Sequence, residues 1–400
     1  MPAVDVVVVG GGVHGTAVAY ELARSGLSVT LLERRTLASG ASGGPGFRGV
    51  RANGRDLREL PLMRLAYDIW PALDTELGRD SGYRRVGGLE LFEQETVDDE
   101  VAMARLRSRI AAQNALGIPT ELIDRDRLLE LEPGTSDAVV GAVLCPLDGC
   151  GDHGQTTRSY AAAAADGGAT VVENAEVVRI VAADLDSGHG GGGQVITVDG
   201  TVHSASRAVI VLANSYTPAL LRQAFGLDLP IWRFNPQVVP VRARDGFTVR
   251  HLISHVTRTF AAKTIDGGAV MLSGGRRGSW DEALDAGFAD PDVPAASLAD
   301  AEVMFPALAD AEVVLTDASR PESVSVDDIP IIDRVPGARS VFFGTGWSGH
   351  GFAIAPAVAR LLAEWVRSTE RPAELAPFAL ARVSRPSTTV GSRADGRHIA

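Results

Sequence analysis

The chain predicts an α/β dinucleotide-binding fold assembled from separated stretches of sequence and joined to an α+β part built on a large antiparallel sheet. Three observations carry that expectation. Val6–Val9 run straight into glycines spaced G-x-G-x-x-G, a helical pattern and a second strand. Strands with the composition of those buried on both faces return much later, at Arg207–Ala213 (RAVIVLA) and Ser340–Phe343, and such strands belong to parallel sheets. Between Pro230 and Leu272, by contrast, short β-type runs (PQVVPVRA, HLISHV, RTFAAKT and GAVMLSGG) alternate with turns, the pattern of antiparallel pairing.

The first unit, Val6–Glu33, reads as strand, helix and strand. Gly10 permits the tight turn out of the strand, Gly12 lets backbone approach a pyrophosphate, and Gly15 removes a Cβ from the helix–sheet contact. Val13 and His14 fill the positions between, and His14 has no reading beyond that of a spacer. Val18 and Leu22 recur at helical spacing, Gly26 ends the helix, and Ser28–Leu32 form the second strand. Glu33 closes it, where an acid accepts from ribose hydroxyls and repels a 2′-phosphate. Arg34 follows and counts with these residues as a dinucleotide contact. Together they make a Rossmann-like fingerprint.

At 400 residues the chain suits two intertwined domains. A net charge of −12 argues against nucleic acid or an anionic membrane as partner, and no apolar run has the length of a membrane span. Lys263 is the only lysine. Cys145 and Cys150 are too few for a disulfide scaffold and lack the neighbours of a metal site, so no metal and a reducing cytoplasm are expected.

Along the chain, Arg34 opens the Gly/Ser-rich stretch RRTLASGASGGPGFRGVRANGR. Its glycines suggest backbone packed against a flat or phosphate-bearing ligand, with Arg48 and Arg51 either turned to that ligand or solvated. Arg55–Leu77 is helical and broken near Pro71, Val86–Phe92 is a strand, Val97–Leu116 a helix and Val139–Leu144 a strand. The segment from Gln155 gives an alanine-rich helix and two short strands. The Gly-rich tip SGHGGGG is expected to be a disordered turn before a strand at Val195–Val198. A short helix at Ala295–Met304, a strand near Val313 and a last helix ending near Ser368 complete the pattern. The Arg/Ser/Thr-rich remainder, 381–400, is expected to be a disordered tail.

GGGVHGTAVAYELARSG, the SGAS loop, GFRGVR, the VGGLELF and VLAN strands and GTGWSGHGFAIAP occur in this order. In them the chain resembles the FAD-dependent amine and amino-acid oxidoreductases, the group of D-amino-acid oxidase, glycine oxidase and monomeric sarcosine oxidase. The resemblance reaches to about Arg371. It implies an FAD-binding domain from 1–85, 150–215 and 330–380, and a substrate domain from 86–149 and 216–329. It implies that Ala41, Ser42 and Gly43 line the pyrophosphate and isoalloxazine, that Val177 meets the adenine, and that Ala213 of VLAN is a cofactor contact. Gly346, Ser348, Gly349, His350, Gly351 and Phe352 match the turn that aims a helix N-terminus at the flavin N1/C2 edge, where it stabilises a reduced, anionic ring. His350 either donates to the flavin or packs.

Substrate residues carry over in part. Arg48 and Arg51 match an arginine pair whose second member binds the substrate carboxylate and whose first lies beside the flavin, but the lysine that completes that clamp is Ala353 here. Arg320, in SRPESVSVDDIPIID, resembles the arginine that grips the carboxylate in glycine and D-amino-acid oxidases, at a spacing longer by two. Aligned instead by the trailing acid, it replaces the cysteine that links FAD in sarcosine oxidases, so the expected FAD is noncovalent. The oxygen-activating lysine of sarcosine oxidases falls near Met271, and Lys263 lies a strand too early, which leaves O₂ or another acceptor open.

The activity this resemblance implies is oxidation of the C–N bond of an amino acid or of a secondary or N-methyl amine. Hydride would pass to the flavin, and the imine would be hydrolysed. Arg48, Arg51, Arg320 and His350 are the candidate catalytic residues, the arginines mainly fixing geometry. No general base is evident. The alternatives are oxidation of a 2-hydroxy acid and a flavin-binding subunit serving a partner. Trp232, Phe234, His251, His255 and Trp280 are candidate pocket walls.

Overall fold

The computed structural model describes residues 3–44, 46–183 and 192–384. Its central sheet starts from β1 (Val4–Val9), whose last four valines are buried. The three fingerprint glycines turn the chain into α1 (Val13–Arg24) and back to β2 (Val29–Leu32), parallel to β1. α1 is buried from His14 to Ala23, mostly small and apolar with Glu21 paired to Arg24 and Arg360, and fits between neighbours on every side. The SGAS loop then leads to β3 (Phe47–Val50) and α2 (Leu60–Ile69), which ends in a 3₁₀ turn at Pro71.

β4 (Gly88–Glu93) leaves for a second sheet. The single helix expected over Val97–Leu116 is two, because Asp99 accepts from the N–H groups of Val101 and Ala102 and starts α3 (Glu100–Ala115) afresh. β5 (Val139–Cys145) returns beside β4, and β6 (Gly149–Asp152) pairs with β3. Asp152 caps α4 (His153–Asp166) by accepting from Gln155. The small residues of α4 let it pack closely on α1.

β7 (Thr170–Val172) joins β2, and the antiparallel pair β8 (Val177–Ala182) and β9 (Gly193–Thr197) leads into β10 (Val202–Val211). The SGHGGGG tip lies almost wholly outside the described residues. β10 is longer than the strand read from sequence: its first part pairs with β9, while the rest lies parallel to β1. A 3₁₀ turn at Asn214–Tyr216 leads to α5 (Thr217–Phe225).

β11 (Ile231–Pro236), not read from sequence, precedes the four β-type runs, which form β12 (Val239–Arg242), β13 (Leu252–His255), β14 (Ala261–Thr264) and β15 (Val270–Ser273). They belong to two sheets, with β11 in the smaller one. In the larger, β12, β15, β14, β13, β4 and β5 are neighbours in that order, and short strands at Glu312–Val313 and Glu121–Asp124 extend the two edges. One pair departs from the antiparallel expectation, since β13 runs parallel to β4. β11 carries the hairpin β16 (Arg277–Asp281) and β17 (Ala286–Phe288) on one side.

After α6 (Val293–Met304), β18 (Glu322–Ser325) pairs with the other side of β11. β19 (Ile331–Val335) and β20 (Ala338–Thr345) bring the chain home, β20 parallel to β10. α7 (Gly351–Ser368) follows and packs on α1 and α2. Of the expected tail, Ala381–Ser384 form a helical turn, and 385–400 lie outside the described residues. Among the described residues, no helix is long and apolar enough to cross a membrane.

Candidate active site

One cavity of about 550 Å³ is lined by β1, the start of α1, the end of β2, the SGAS loop, β3, β8, the 3₁₀ turn after β10, the β16–β17 hairpin, β18 and the start of α7. Of the residues singled out in the sequence, Gly10, Gly12, Val13, His14, Glu33, Arg34, Ala41, Ser42, Arg48, Val177, Ala213, Arg320, Gly349, Gly351 and Phe352 line it. Gly15, Gly43, Arg51, Gly346, Ser348 and His350 do not.

The fingerprint part fits a dinucleotide on its own geometry. A Cβ on Gly12 would meet nothing within 4 Å, whereas one on Gly15 would overlap the carbonyl oxygen of Gly10. Gly12 caps α1 and His350 caps α7 without any side-chain bond, and neither first turn holds an acid. Two helix N-termini with unpaired N–H groups therefore begin at the cavity wall, a favourable setting for phosphate or for an anionic ring. Glu33 takes the Gly11 N–H at 2.7 Å. Arg34 lies over the Tyr216 ring at 4.1 Å and pairs with Asp285 at 2.9 Å, tying the hairpin to this region.

His14 is more than a spacer. Its ring stacks on Trp347 at 3.6 Å with both ring nitrogens buried, and burial, opposed by the Gly351 backbone, pushes its pKa down to about 3. The neutral ring fills the space left by Gly351, whose Cβ would stand 3.0 Å from His14 Nε2.

A second group of lining side chains carries charge. Arg48 is a clasp for its own loop: it donates to the carbonyls of Ser42 (2.6 and 3.1 Å), Gly44, Gly46 (3.2 Å) and Phe47 (3.1 Å). Burial, and then the charge of Arg320, pull its pKa down to about 10. Arg320 has no hydrogen bond or ion pair among the described residues, so its guanidinium is free to meet a ligand.

Arg51 instead turns back to the carbonyl of Asn53, in the field of Arg55, Glu90 and Asp148. His350 lies with its Nδ1 3.7 Å from buried Glu59, which pairs with Arg55 at 3.1 Å, and its carbonyl accepts from Arg55. Burial holds its pKa well below the usual range. The local geometry is thus that of packing.

Of the candidate walls, Trp280 lines the cavity. Trp232 is exposed, Phe234 lies under Arg277, His251 bonds Glu132 at 3.0 Å, and His255 accepts from the N–H groups of Thr257 and Arg258. Lys263 is one strand earlier than Met271 but directly opposite it in the β14–β15 register. Burial, then the charge of Arg48, lower its pKa to about 8.

Among the lining residues not read as site residues from sequence, three carry polar side chains close to the charged group. His153 opens α4 and meets the Gly46 carbonyl at 2.9 Å, kept neutral by burial and by Arg48 with a pKa of about 3. Asn214 sits in the turn after VLA. Glu322 is a buried acid, 5 % exposed, in β18. Its signal was present as the E of SRPES, but sequence cannot show that this acid faces inward.

Residues 5–365 match a family model described as FAD dependent oxidoreductase. The glycine oxidase of Geobacillus kaustophilus is 28% identical over 394 residues, covering 94% of this chain and 97% of that protein. A sarcosine oxidase subunit beta from Arthrobacter sp is 26% identical, covering 94% of this chain and 90% of that one. Among solved structures, L-proline dehydrogenase from P. horikoshii superposes with a TM-score of 0.84 at 23% identity, covering 96% of this chain and 99% of that chain, a likeness of fold.

Proposed function

The chain belongs to the FAD dependent oxidoreductase family, and on that premise we propose that it oxidises the C–N bond of an amino acid or N-methyl amino acid. The observation that carries this reading is a cavity that joins the dinucleotide fingerprint to Arg320, an arginine unpaired among the described residues. FAD, when bound, supplies the acceptor for the hydride lost from the carbon bonded to the substrate nitrogen. The start of α1 and Gly12 would hold its pyrophosphate, Glu33 its ribose, and the start of α7 its ring edge.

Arg320 would take the substrate carboxylate and fix the α-carbon in place, a contribution of geometry. Arg48 holds the SGAS loop in shape beside it. No cysteine stands at Arg320, which supports noncovalent FAD. The discontinuous division into an FAD-binding and a substrate domain is supported by the two large sheets, one drawn from 4–32, 170–211 and 331–345. Two free buried thiols, Cys145 and Cys150, support a cytoplasmic setting.

The test is an anaerobic screen of the holoenzyme with amino acids, N-methyl amino acids and 2-hydroxy acids, following loss of the yellow flavin absorbance. Bleaching by an amine is expected; bleaching by hydroxy acids alone would replace the reading. Arg320→Ala should raise KM for a carboxylated amine about 10- to 100-fold, the worth of a charged hydrogen-bonded contact, with flavin content unchanged. Acid precipitation should release all the flavin into the supernatant.

A further inference from the structure

Glu322 lines the cavity as a buried carboxylate, yet no cation is paired with it. Its oxygens are held by neutral donors: Ser42 Oγ gives to Oε2 at 2.7 Å, the Ser323 N–H to Oε1 at 2.8 Å, and the Asn214 side chain also donates. Among the described residues it has no ion pair, and the arginine that faces it, Arg48, spends its donors on loop carbonyls. A few residues away, Arg320 lines the same cavity, also without an ion pair.

Buried charges are ordinarily paired, because an isolated ion loses its hydration without compensation. Here one anion and one cation line a common space, and each is left for something else to complete. A carboxylate has about four acceptor sites, so three neutral donors leave Glu322 room for one more. The complement to such a pair is a small zwitterion whose carboxylate meets Arg320 and whose ammonium meets the acid.

We propose that Glu322 is the amine-side contact of the substrate: it receives the ammonium of an amino acid and takes a proton from it. This rests on the proposed amino-acid oxidation at the same cavity. In the step, one N–H bond of the ammonium breaks, an O–H bond forms on Glu322, the nitrogen keeps the electron pair, and no redox change occurs. The neutral amine left behind has the lone pair that C–H oxidation requires. Burial, the largest influence, raises the pKa of Glu322 above the ordinary carboxylate value, which suits it to hold that proton. The charge that acts on it is that of Arg48 from β3, and Arg320 from its own segment, Asp152 and Asp317 act on that same Arg48. Neutral His153 from α4 and Lys263 from β14 lie beyond, in the field of Arg48.

Two unreactive probes test this in the holoenzyme: 2-aminoisobutyrate, an amino acid with no α-hydrogen, and isobutyrate, its deaminated counterpart. Binding is read by calorimetry and by perturbation of the flavin spectrum, so turnover is not needed. Glu322→Gln, which keeps the shape and an acceptor for Ser42, is expected to weaken 2-aminoisobutyrate about tenfold or more and to leave isobutyrate within about twofold. Arg320→Ala should weaken both.

In wild type, affinity for 2-aminoisobutyrate should fall as pH drops through the Glu322 pKa, over a range where both probes keep their carboxylates ionised. Isobutyrate should show no such fall, a result independent of whether the variant folds. Equal effects of Glu322→Gln on the two probes, or identical pH profiles, would overturn the proposal alone. Failure of both probes to bind wild type, or indifference to Arg320→Ala, would overturn the amino-acid reading beneath it.

Discussion

At the scale of single residues, the structure separates groups whose role is set by close neighbours from groups whose role is set by distant ones. Gly15 is of the first kind: a Cβ there collides with the Gly10 carbonyl, so Gly15→Ala should yield protein with little bound flavin, measured as the ratio of flavin to protein absorbance. Full flavin content in that variant would sink the account. Lys263 is of the second kind. Burial lowers its pKa from 10.5 to about 8, so the folded state releases this proton before the unfolded state does. Stability therefore rises with pH between those values, and below them the full cost of the buried charge applies. Lys263→Met should remove up to about 3 kcal/mol of that cost. In the flavin-free protein the variant should melt higher at pH 7, with the gain shrinking towards pH 10.5; an equal or lower melting point at pH 7 would refute this. The resemblance singled out Arg48, Arg51 and His350 as site residues, yet a motif match does not say where a side chain points. Arg48 is engaged by its own loop, and Arg51 and His350 lie outside the cavity lining.

Among the elements, the long buried ones were readable. β1, α1, β10 and α7 announce themselves through valine runs, helical spacing and glycine stops, all local patterns. The β16–β17 hairpin did not, because RGSWDEALDAGF has neither an apolar run nor a clean alternation. Its strands exist because β16 finds β11, and its tip is fastened by Arg34 and Tyr216, both bonded to Asp285 at 2.9 Å. Trp280 and Asp285 line the cavity beside the dinucleotide fingerprint. Asp285→Ala should accordingly speed FAD loss on dilution a few-fold, while the melting point of the flavin-free protein changes little, since partly exposed ion pairs contribute about 0–1 kcal/mol. A large loss of stability with unchanged FAD release would reverse the assignment. The parallel pair β4–β13 likewise joins strands remote in sequence, and nothing in either strand marks the direction of its partner.

For the whole molecule, the cavity takes walls from both large parts of the chain, so a ligand filling it ties them together. FAD should raise the melting point of the flavin-free protein with increasing concentration, by the equivalent of about 2.7 kcal/mol at a hundredfold excess over Kd; a melting point indifferent to FAD would contradict the cavity's assignment. By itself the sequence determined the dinucleotide unit, the parallel and antiparallel sheet regions and the family resemblance, because glycine conformations, apolar periodicity and motif order are relations among residues close along the chain. Only the tertiary structure decided which arginine stands free among the described residues, why His14 is neutral and stacked, and that Glu322 is buried with no counter-ion among them. Burial and ion pairing depend on partners such as Ser42 and Glu322, 280 positions apart, and no local pattern specifies what such distant groups will meet.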